Sequence, residues 1–324
     1  MPRIDAHIHY VEAGADIAAL QERWDLKFFN VCVAHEPGDG WRQQATRYAQ
    51  LAHDHPERYA WCTTCDLPDF ADPRWADRVV AALAQDFAAG AAACKFWKNL
   101  GMAERTPSGA FLMIDDPILD PVYEYLTWIG KPALMHIAEP LACWQPLDAS
   151  NPHYGYYSQH PEWHMHNRPD FPSHPDLMTA RDHVLEKHPR LRVIGAHLAS
   201  LEYDVAVLAE RLERYPNLAV DTSARLFDLM HQPSDAVRSF FIAYQDRVLF
   251  GTDIVHRRLV AQMSGEERAQ HFQSVDAAYR VAFSYYESDA VLSHHGREVH
   301  GLGLPAEVLD KLYTENAREW YPGL

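Results

Sequence analysis

The chain has 324 residues, with 29 Lys and Arg against 45 Asp and Glu, and a formal net charge of −16. This acidic balance, without a basic stretch long enough to follow a phosphate backbone, argues against nucleic acid and against an anionic membrane surface as partners. The sequence contains no run of 18 apolar residues, so we expect no membrane-spanning helix. It also lacks an N-terminal basic region followed by an apolar stretch, so we expect no secretory signal. We therefore expect a cytoplasmic protein that acts on a small molecule.

The cysteines do not form the pattern of a disulfide framework. There are five of them, an odd number, and only Cys62 and Cys65 form a C-x-x-C pair. A redox pair or half of a zinc site are the alternatives, but no second C-x-x-C is present to complete a zinc site. We expect Cys62 and Cys65 to be buried or structural residues.

Strand-like apolar runs alternate with helical patterns along the whole chain. Helical stretches are predicted at 41–55, 73–90 and 201–216, and the last has its apolar residues at helical spacing. The predicted strands are 3–9, 28–35, 59–65, 91–97, 132–138, 192–199, 218–224 and 247–253.

Eight βα repeats predict one α/β domain over residues 1–324, a (β/α)8 TIM barrel. A doubly wound open sheet is the alternative, but it would carry a Gly-rich phosphate loop after the first strand. His7, Ile8 and His9 occupy that place, and no G-x-G-x-x-G occurs in the sequence.

Two segments are longer than ordinary loops. Residues 139–175, here named the lid segment, follow strand 5, and residues 254–300 follow strand 8 with a helical part at about 266–286. Long insertions after barrel strands lie on the active-site face and often cover it. The lid segment has four aromatic residues that fit either a substrate cover or a subunit contact in a homo-oligomer: Tyr154, Tyr156, Tyr157 and Trp163.

Three His-x-His pairs occur among the 20 histidines, namely His7/His9, His53/His55 and His164/His166. Residues i and i+2 of a strand point to the same side, so His7 and His9 are able to grip one ion. The second pair ends a helical stretch, where i and i+2 do not share a face. The third lies in the lid segment, where nothing fixes its geometry. The first pair is therefore the candidate metal clamp.

More polar residues suited to metal binding lie at the ends of predicted strands: Lys95, His136, His197 and Asp253. In a closed barrel these strand ends converge on one site. Neutral imidazoles and a carboxylate suit Zn most, with Mn or Fe as alternatives. Such a metal lowers the pKa of a bound water from 15.7 toward about 7, and Asp253 could take the proton.

With these residues in this order, the chain resembles the "amidohydrolase 2" group of the amidohydrolase superfamily over essentially its whole length. The resemblance implies that His7, His9 and Asp253 hold one metal. It also implies that His136 joins this ion or, with His197, holds a second one.

The resemblance leaves the number of metals open. In many two-metal members the strand-4 lysine, here Lys95, is carbamylated and bridges the ions. In one-metal members the strand-6 histidine, here His197, polarises the substrate or transfers protons. We favour one metal, with Lys95 as an ammonium that orients an anionic substrate or contacts a neighbouring acid.

Four residues beyond the strand ends are candidates for substrate binding: Glu139, His164, Arg225 and His256. Arg225 could clamp a carboxylate with two hydrogen bonds, or form an ordinary salt bridge. Lys98 lies close to Lys95 in the sequence, but strand alternation would direct it to the opposite side.

The resulting prediction is a metal-dependent hydrolase of a C–O or C–N bond in a small molecule such as a lactone, ester or amide. The alternative is a non-oxidative decarboxylase or a hydratase of a small carboxylic acid, both of which occur in the resembled group. A binding protein with an inactive site is less favoured, because all six expected site residues are present.

Overall fold

The computed structural model describes residues 2–35, 40–256, 260–294 and 297–324. Its centre is a sheet of nine parallel strands: β1 (Arg3–Tyr10), β2 (Leu26–Val31), β3 (Tyr59–Thr64), β4 (Cys94–Phe96), β5 (Ala133–Met135), β6 (Val193–Gly195), β7 (Leu218–Asp221), β8 (Val248–Leu249) and β9 (Val255–His256). Their order in the sheet is β8-β7-β6-β5-β4-β3-β2-β1-β9.

The sheet closes on itself between its last strands and β1. The Ala6 N–H donates to the Phe250 carbonyl at 2.8 Å, and the His9 N–H donates to the Ile254 carbonyl at 2.9 Å. Of the predicted eighth strand, 247–253, only Val248–Leu249 forms a strand, and β9 begins after Asp253, which has a positive φ of 59°. The predicted (β/α)8 barrel is confirmed, with β8 and β9 lying one after the other along β1.

Helices follow the strands and cover the outside of the barrel. Within the described residues, no helix is long and apolar enough to cross a membrane. The helices are α1 (Ala15–Trp24), α2 (Arg42–Asp54), α3 (Trp75–Ala88), α4 (Asn99–Met102), α5 (Asp120–Ile129), α6 (Tyr154–Tyr157), α7 (His174–Lys187), α8 (Ala196–Ala199), α9 (Val205–Arg214), α10 (Leu226–Met230), α11 (Ser234–Ala243), α12 (Gly265–Glu287), α13 (Ala306–Asp310) and α14 (Asn316–Trp320).

The apolar core has two layers, one inside the barrel and one between the barrel and the helices. The inner layer includes Ile4, Ala6 and Cys62, and Trp320 and Tyr321 pack against it. All five cysteines are free. These side chains fill the inside of the barrel. The polar residues that end the strands lie at its carboxyl end, where barrel enzymes have their active sites.

The two long segments differ in structure. Between Glu139 and α7, the lid segment forms three short helical turns, Leu141–Trp144, Tyr154–Tyr157 and Pro161–Trp163. After β9, the chain forms α12 and an antiparallel hairpin of β10 (Val291–His294) and β11 (Arg297–His300). The predicted segment 254–300 also includes 257–259 and 295–296, which lie outside the described residues.

Candidate metal centre

A bulge in β1 aims the first histidine pair into the barrel. Asp5 pairs with Phe28 but Ile8 pairs with Asn30, so β1 has one extra residue between these points. Ala6 belongs to the inner core, whereas Ile8 belongs to the outer core. The extra residue allows His7 as well as Ala6 to face inward, as β-bulges near active sites often do.

His7, His9 and Asp253 bring three possible metal-binding atoms together. The Asp253 Oδ1 lies 3.1 Å from the His9 Nε2 and 3.9 Å from the His7 Nε2. Four-coordinate zinc holds nitrogen and oxygen ligands at about 2.0–2.2 Å, which places neighbouring ligand atoms roughly 3.3 Å apart. The three atoms therefore fit a transition metal after small adjustments.

The electrostatics of this group match the protonation states of metal ligands. Burial lowers the pKa of His9, and the Asp253 carboxylate only partly opposes this. Burial acts to raise the pKa of Asp253, but its contact with His9 and the nearby His197 outweigh it, and the pKa is lowered. A neutral imidazole and a carboxylate are the forms that bind metal.

Asp221, at the end of β7, orients His7. The His7 Nδ1–H donates to the Asp221 Oδ2 at 2.9 Å, which leaves the Nε2 lone pair free to face Asp253. The Asp221 Oδ1 accepts the His197 backbone N–H at 2.8 Å. Sequence reasoning missed Asp221, although a carboxylate ending the apolar run "LAVD" was a usable signal.

His7, His197 and Asp221 form a second group compact enough to hold a metal. Asp221 contacts the Nδ1 of His7, whereas Asp253 faces its Nε2. The two groups therefore lie on opposite sides of the His7 ring. The Ser223 hydroxyl, which contacts both His7 and His197, lies on the Asp221 side.

A chain of hydrogen bonds fixes the protonation of His197 and His136. The His197 Nδ1–H donates to the Ser223 carbonyl at 2.8 Å, and burial lowers the pKa of His197, so its Nε2 is an acceptor. The His136 Nδ1 lies 3.1 Å from that Nε2 and must donate to it. Burial also lowers the pKa of His136, and its buried Nε2 has no hydrogen-bond partner. An unpartnered, unprotonated nitrogen fits a metal ligand, although His136 lies outside both compact groups.

The short element α8 is a left-handed turn rather than an ordinary helix, and it presents His197. Residues 197–200 all have φ between 56° and 60°, a conformation that costs non-glycine residues about 1–2 kcal/mol each. A Cβ on Gly195 would lie 2.4 Å from the Ala199 Cβ, so the turn requires glycine at that position. Backbone strain of this kind is concentrated at functional sites.

Lys95, on β4, also reaches the candidate metal centre. Its side chain is buried and its Nζ lies 3.4 Å from the His7 Nε2. Burial lowers the pKa of Lys95 to about 8, against the charges of Asp221 and Asp253. The side chain is close enough to serve in either the ammonium or the carbamylated form.

Glu139 lies at the same end of the barrel but in a separate group. It forms a buried ion pair with Lys98, and the Tyr157 hydroxyl donates to its Oε2 at 3.1 Å. Strand alternation does not predict the direction of Lys98, because β4 ends at Phe96. Sequence reasoning therefore missed Lys98 as a residue of the site.

Arg225, after β7, is buried, and its charge contributes to the lowered pKa values of both His136 and His197. The other two substrate-binding candidates, His164 and His256, make their described contacts with residues other than the metal-ligand candidates. His164 contacts the Gln145 carbonyl at 3.0 Å. His256 stacks between the outward-facing Tyr10 and His271.

Solved structures with similar folds include three enzymes or enzyme relatives. An amidohydrolase II matches with 15% identity and a TM-score of 0.56, covering 98% of this chain and 99% of that one. A 2,6-dihydroxybenzoate decarboxylase matches with 14% identity and a TM-score of 0.58, covering 99% of each chain. A 4-oxalomesaconate hydratase from Rhodopseudomonas palustris matches with 14% identity and a TM-score of 0.51, covering 95% of this chain and 79% of that one.

No curated protein matches the chain. At these low identities the solved structures show the barrel fold and do not select one reaction. The amidohydrolase family model, however, matches residues 4–323. The chain therefore belongs to the amidohydrolase family, whose members are enzymes.

Proposed function

We propose that this protein is a metal-dependent hydrolase of a C–O or C–N bond in a small molecule such as a lactone, ester or amide. The observation that carries the proposal is the convergence of His7, His9 and Asp253, with carboxylate-to-imidazole distances of 3.1 and 3.9 Å. These residues would hold one ion, and zinc suits the ligand set best.

The chemistry divides between the ion and the protein residues. When bound, a divalent ion supplies the Lewis acidity that makes water a nucleophile at neutral pH. Asp253 would accept the proton of the attacking water and pass it to the leaving group. Its side chain is 26% exposed, so it reaches the space in which a substrate would lie.

The lack of a proton on His197 Nε2 favours hydrolysis over the alternative. Because its Nδ1–H is held by the Ser223 carbonyl, the neutral ring has an unprotonated Nε2, which accepts the His136 Nδ1–H. A decarboxylase must instead give a proton to the carbon that loses carbon dioxide. His197 would then have to be protonated, which burial opposes.

A decarboxylase or hydratase of a small carboxylic acid is the second candidate. It is favoured by the buried cations Lys95 and Arg225, which suit an acidic substrate. We propose Lys95 as an unmodified ammonium in both cases. Its buried positive charge at the site would disfavour the binding of a second cation, so one metal per chain is expected.

Metal analysis combined with a substrate screen tests the proposal. Protein produced with added zinc or manganese should contain about one ion per chain, and His9→Ala should lose most of it. His53→Ala is the matched control, because it changes an exposed histidine of another His-x-His pair. Wild type without metal, or equal metal loss in both variants, would contradict the metal centre.

The screen should contain lactones, amides and aromatic acids. Hydrolysis incorporates oxygen from labelled water into the product, whereas decarboxylation releases carbon dioxide. Activity only on the acids, with carbon dioxide release, would replace the hydrolase by the second candidate.

A further inference from the structure

The carboxyl end of the barrel concentrates buried positive charge in an otherwise acidic protein. Lys95, Lys98 and Arg225 are only 1%, 3% and 6% exposed, although the chain has a net charge of −16. Burying a cation is costly unless a negative charge or several hydrogen bonds compensate it. The described residues provide such compensating groups for these three cations to different extents.

Lys98 is compensated by the lid segment. It forms its ion pair with Glu139, and the centre of the Trp163 ring lies 4.1 Å from its Nζ. Glu139 is itself held by the Tyr157 hydroxyl. These contacts fix the Lys98 ammonium in place, with the Trp163 ring of the lid segment packed against it.

Arg225, like Lys95, forms no ion pair among the described residues, and its guanidinium has few hydrogen bonds. Its Nη1 donates to the neighbouring Ala224 carbonyl at 2.9 Å, and its buried Nε has no hydrogen-bond partner. Among the described residues, no carboxylate lies within ion-pairing distance of this guanidinium. The buried carboxylate of Glu202 accepts the Leu141 N–H instead.

Lys98 follows β4 and Arg225 follows β7, so the two cations lie at the carboxyl end of the barrel, with the ends of β5 and β6 between them. The metal-ligand candidates His136 and His197 follow those two intervening strands. A ligand group between the two cations would therefore lie beside the candidate metal centre.

We propose that Arg225 and Lys98 form an anion subsite that binds a carboxylate of the substrate while the neighbouring metal centre acts on another bond. This deepens the proposed function by naming the substrate class, an acid-bearing lactone, ester or amide. A planar carboxylate matches the guanidinium, because the free Nε–H and an Nη–H can bind its two oxygens together. Lys98 adds charge from a fixed position, and Trp163 and Tyr156 provide apolar surface for the rest of the molecule.

Calorimetric titration of the metal-loaded enzyme with simple probes tests this subsite. The probes are propionate and benzoate, each compared with its amide, propionamide or benzamide, which keeps the shape but lacks the charge. We expect at least one acid to bind at least tenfold more tightly than its amide. Arg225→Gln should lower that affinity at least tenfold at unchanged metal content, and Arg225→Lys should lower it less.

Arg214→Gln is the matched control, because Arg214 lies on the exposed face of α9 with a 62% exposed side chain. It should bind the probes as the wild type does. If Arg225→Gln fails to fold by circular dichroism, Lys98→Met takes its place, with an expected loss of at least threefold. Equal binding of acid and amide, or wild-type affinity in the folded Arg225 or Lys98 variant, overturns the subsite.

The same titration separates this inference from the proposed function. A carboxylate that binds only to the metal would lose affinity in His9→Ala but not in Arg225→Gln, which overturns the subsite and leaves the metal centre intact. The opposite result is also distinguishable. If the protein holds no metal but still binds the acid more tightly than the amide, and this preference is lost in Arg225→Gln, the subsite is supported and the metal-dependent hydrolase is overturned.

Discussion

The metal side and the substrate side of the candidate site are built in different ways. His7, His9 and Lys95 belong to strands, and their directions follow from the bulged strand β1 and from β4. Lys98, Glu139 and the aromatic residues of the lid segment lie beyond the strand ends, where their positions depend on contacts with one another. We infer that the metal side provides the chemistry and that the loops decide which molecule receives it.

The largest effect is expected from loss of a ligand on the metal side. Asp253→Asn keeps the shape of the side chain but removes the charge that binds a cation and accepts a proton. We expect loss of most of the bound metal and at least a thousandfold loss of kcat. Elemental analysis and steady-state kinetics measure the two effects. Full metal content with normal kcat would show that Asp253 is only a structural residue of the turn after β8.

Lys95 tests whether the metal side holds one ion or two. If Lys95 is an ammonium, Lys95→Ala should keep about one metal per chain and lose at least a hundredfold in activity. If it is carbamylated, the wild type should hold two ions about 3.5–4 Å apart and the variant one or none. Metal-to-protein ratios of both proteins decide between these outcomes, and a ratio of two in the wild type would contradict our one-metal prediction.

The same contrast explains what could be predicted from the sequence. The barrel and the inward pair His7/His9 follow from strand periodicity and the convergence of strand ends, and the barrel is confirmed. The bulge in β1 could not be predicted, because alternation alone would place Ala6 and His7 on opposite sides. Lys98 was missed because alternation holds only inside a strand, and β4 has three residues.

His256 was predicted to bind substrate, but its position in the structure could not be predicted from the sequence. It follows Asp253 closely in the sequence, yet it faces away from the interior and stacks on Tyr10 and His271. The backbone changes conformation at Asp253, which has a positive φ, before β9 begins at Val255. Asp253 and His256 therefore point in different directions although they are close in sequence. A sequence pattern does not report such a change of backbone conformation.

Asp221 tests the support behind the metal ligands. Asp221→Asn retains one acceptor but removes the charge that holds the His7 Nδ1–H at 2.9 Å. Replacing residues that orient metal-binding histidines typically costs 10- to 100-fold in metal affinity, and we expect a loss in this range. Competition with a chelator measures it, with Asp77→Asn, an exposed change on α3, as the control. Unchanged affinity would mean that His7 is oriented by other contacts.

Gly195 tests the turn that presents His197. Gly195→Ala should lower the free energy of unfolding by about 1–3 kcal/mol, because the new Cβ would meet Ala199 at 2.4 Å. Denaturant unfolding measures this loss. Gly14→Ala is the control, since no atom lies within 4 Å of a Cβ at that position. Equal stability of the two variants would show that the turn relaxes easily.

The smallest effect is expected on the substrate side, where Trp163 covers Lys98. Trp163→Leu removes a cation–π contact at 4.1 Å, worth about 0.5–2 kcal/mol depending on solvent exposure. Because Trp163 does not contact the metal ligands, we expect KM to rise about 3- to 30-fold while kcat and metal content stay unchanged. Trp128→Leu is the control, because Trp128 is 82% exposed on α5. A fall in kcat or metal content in Trp163→Leu would show that the lid segment also shapes the metal side, and the division between the two sides would not hold.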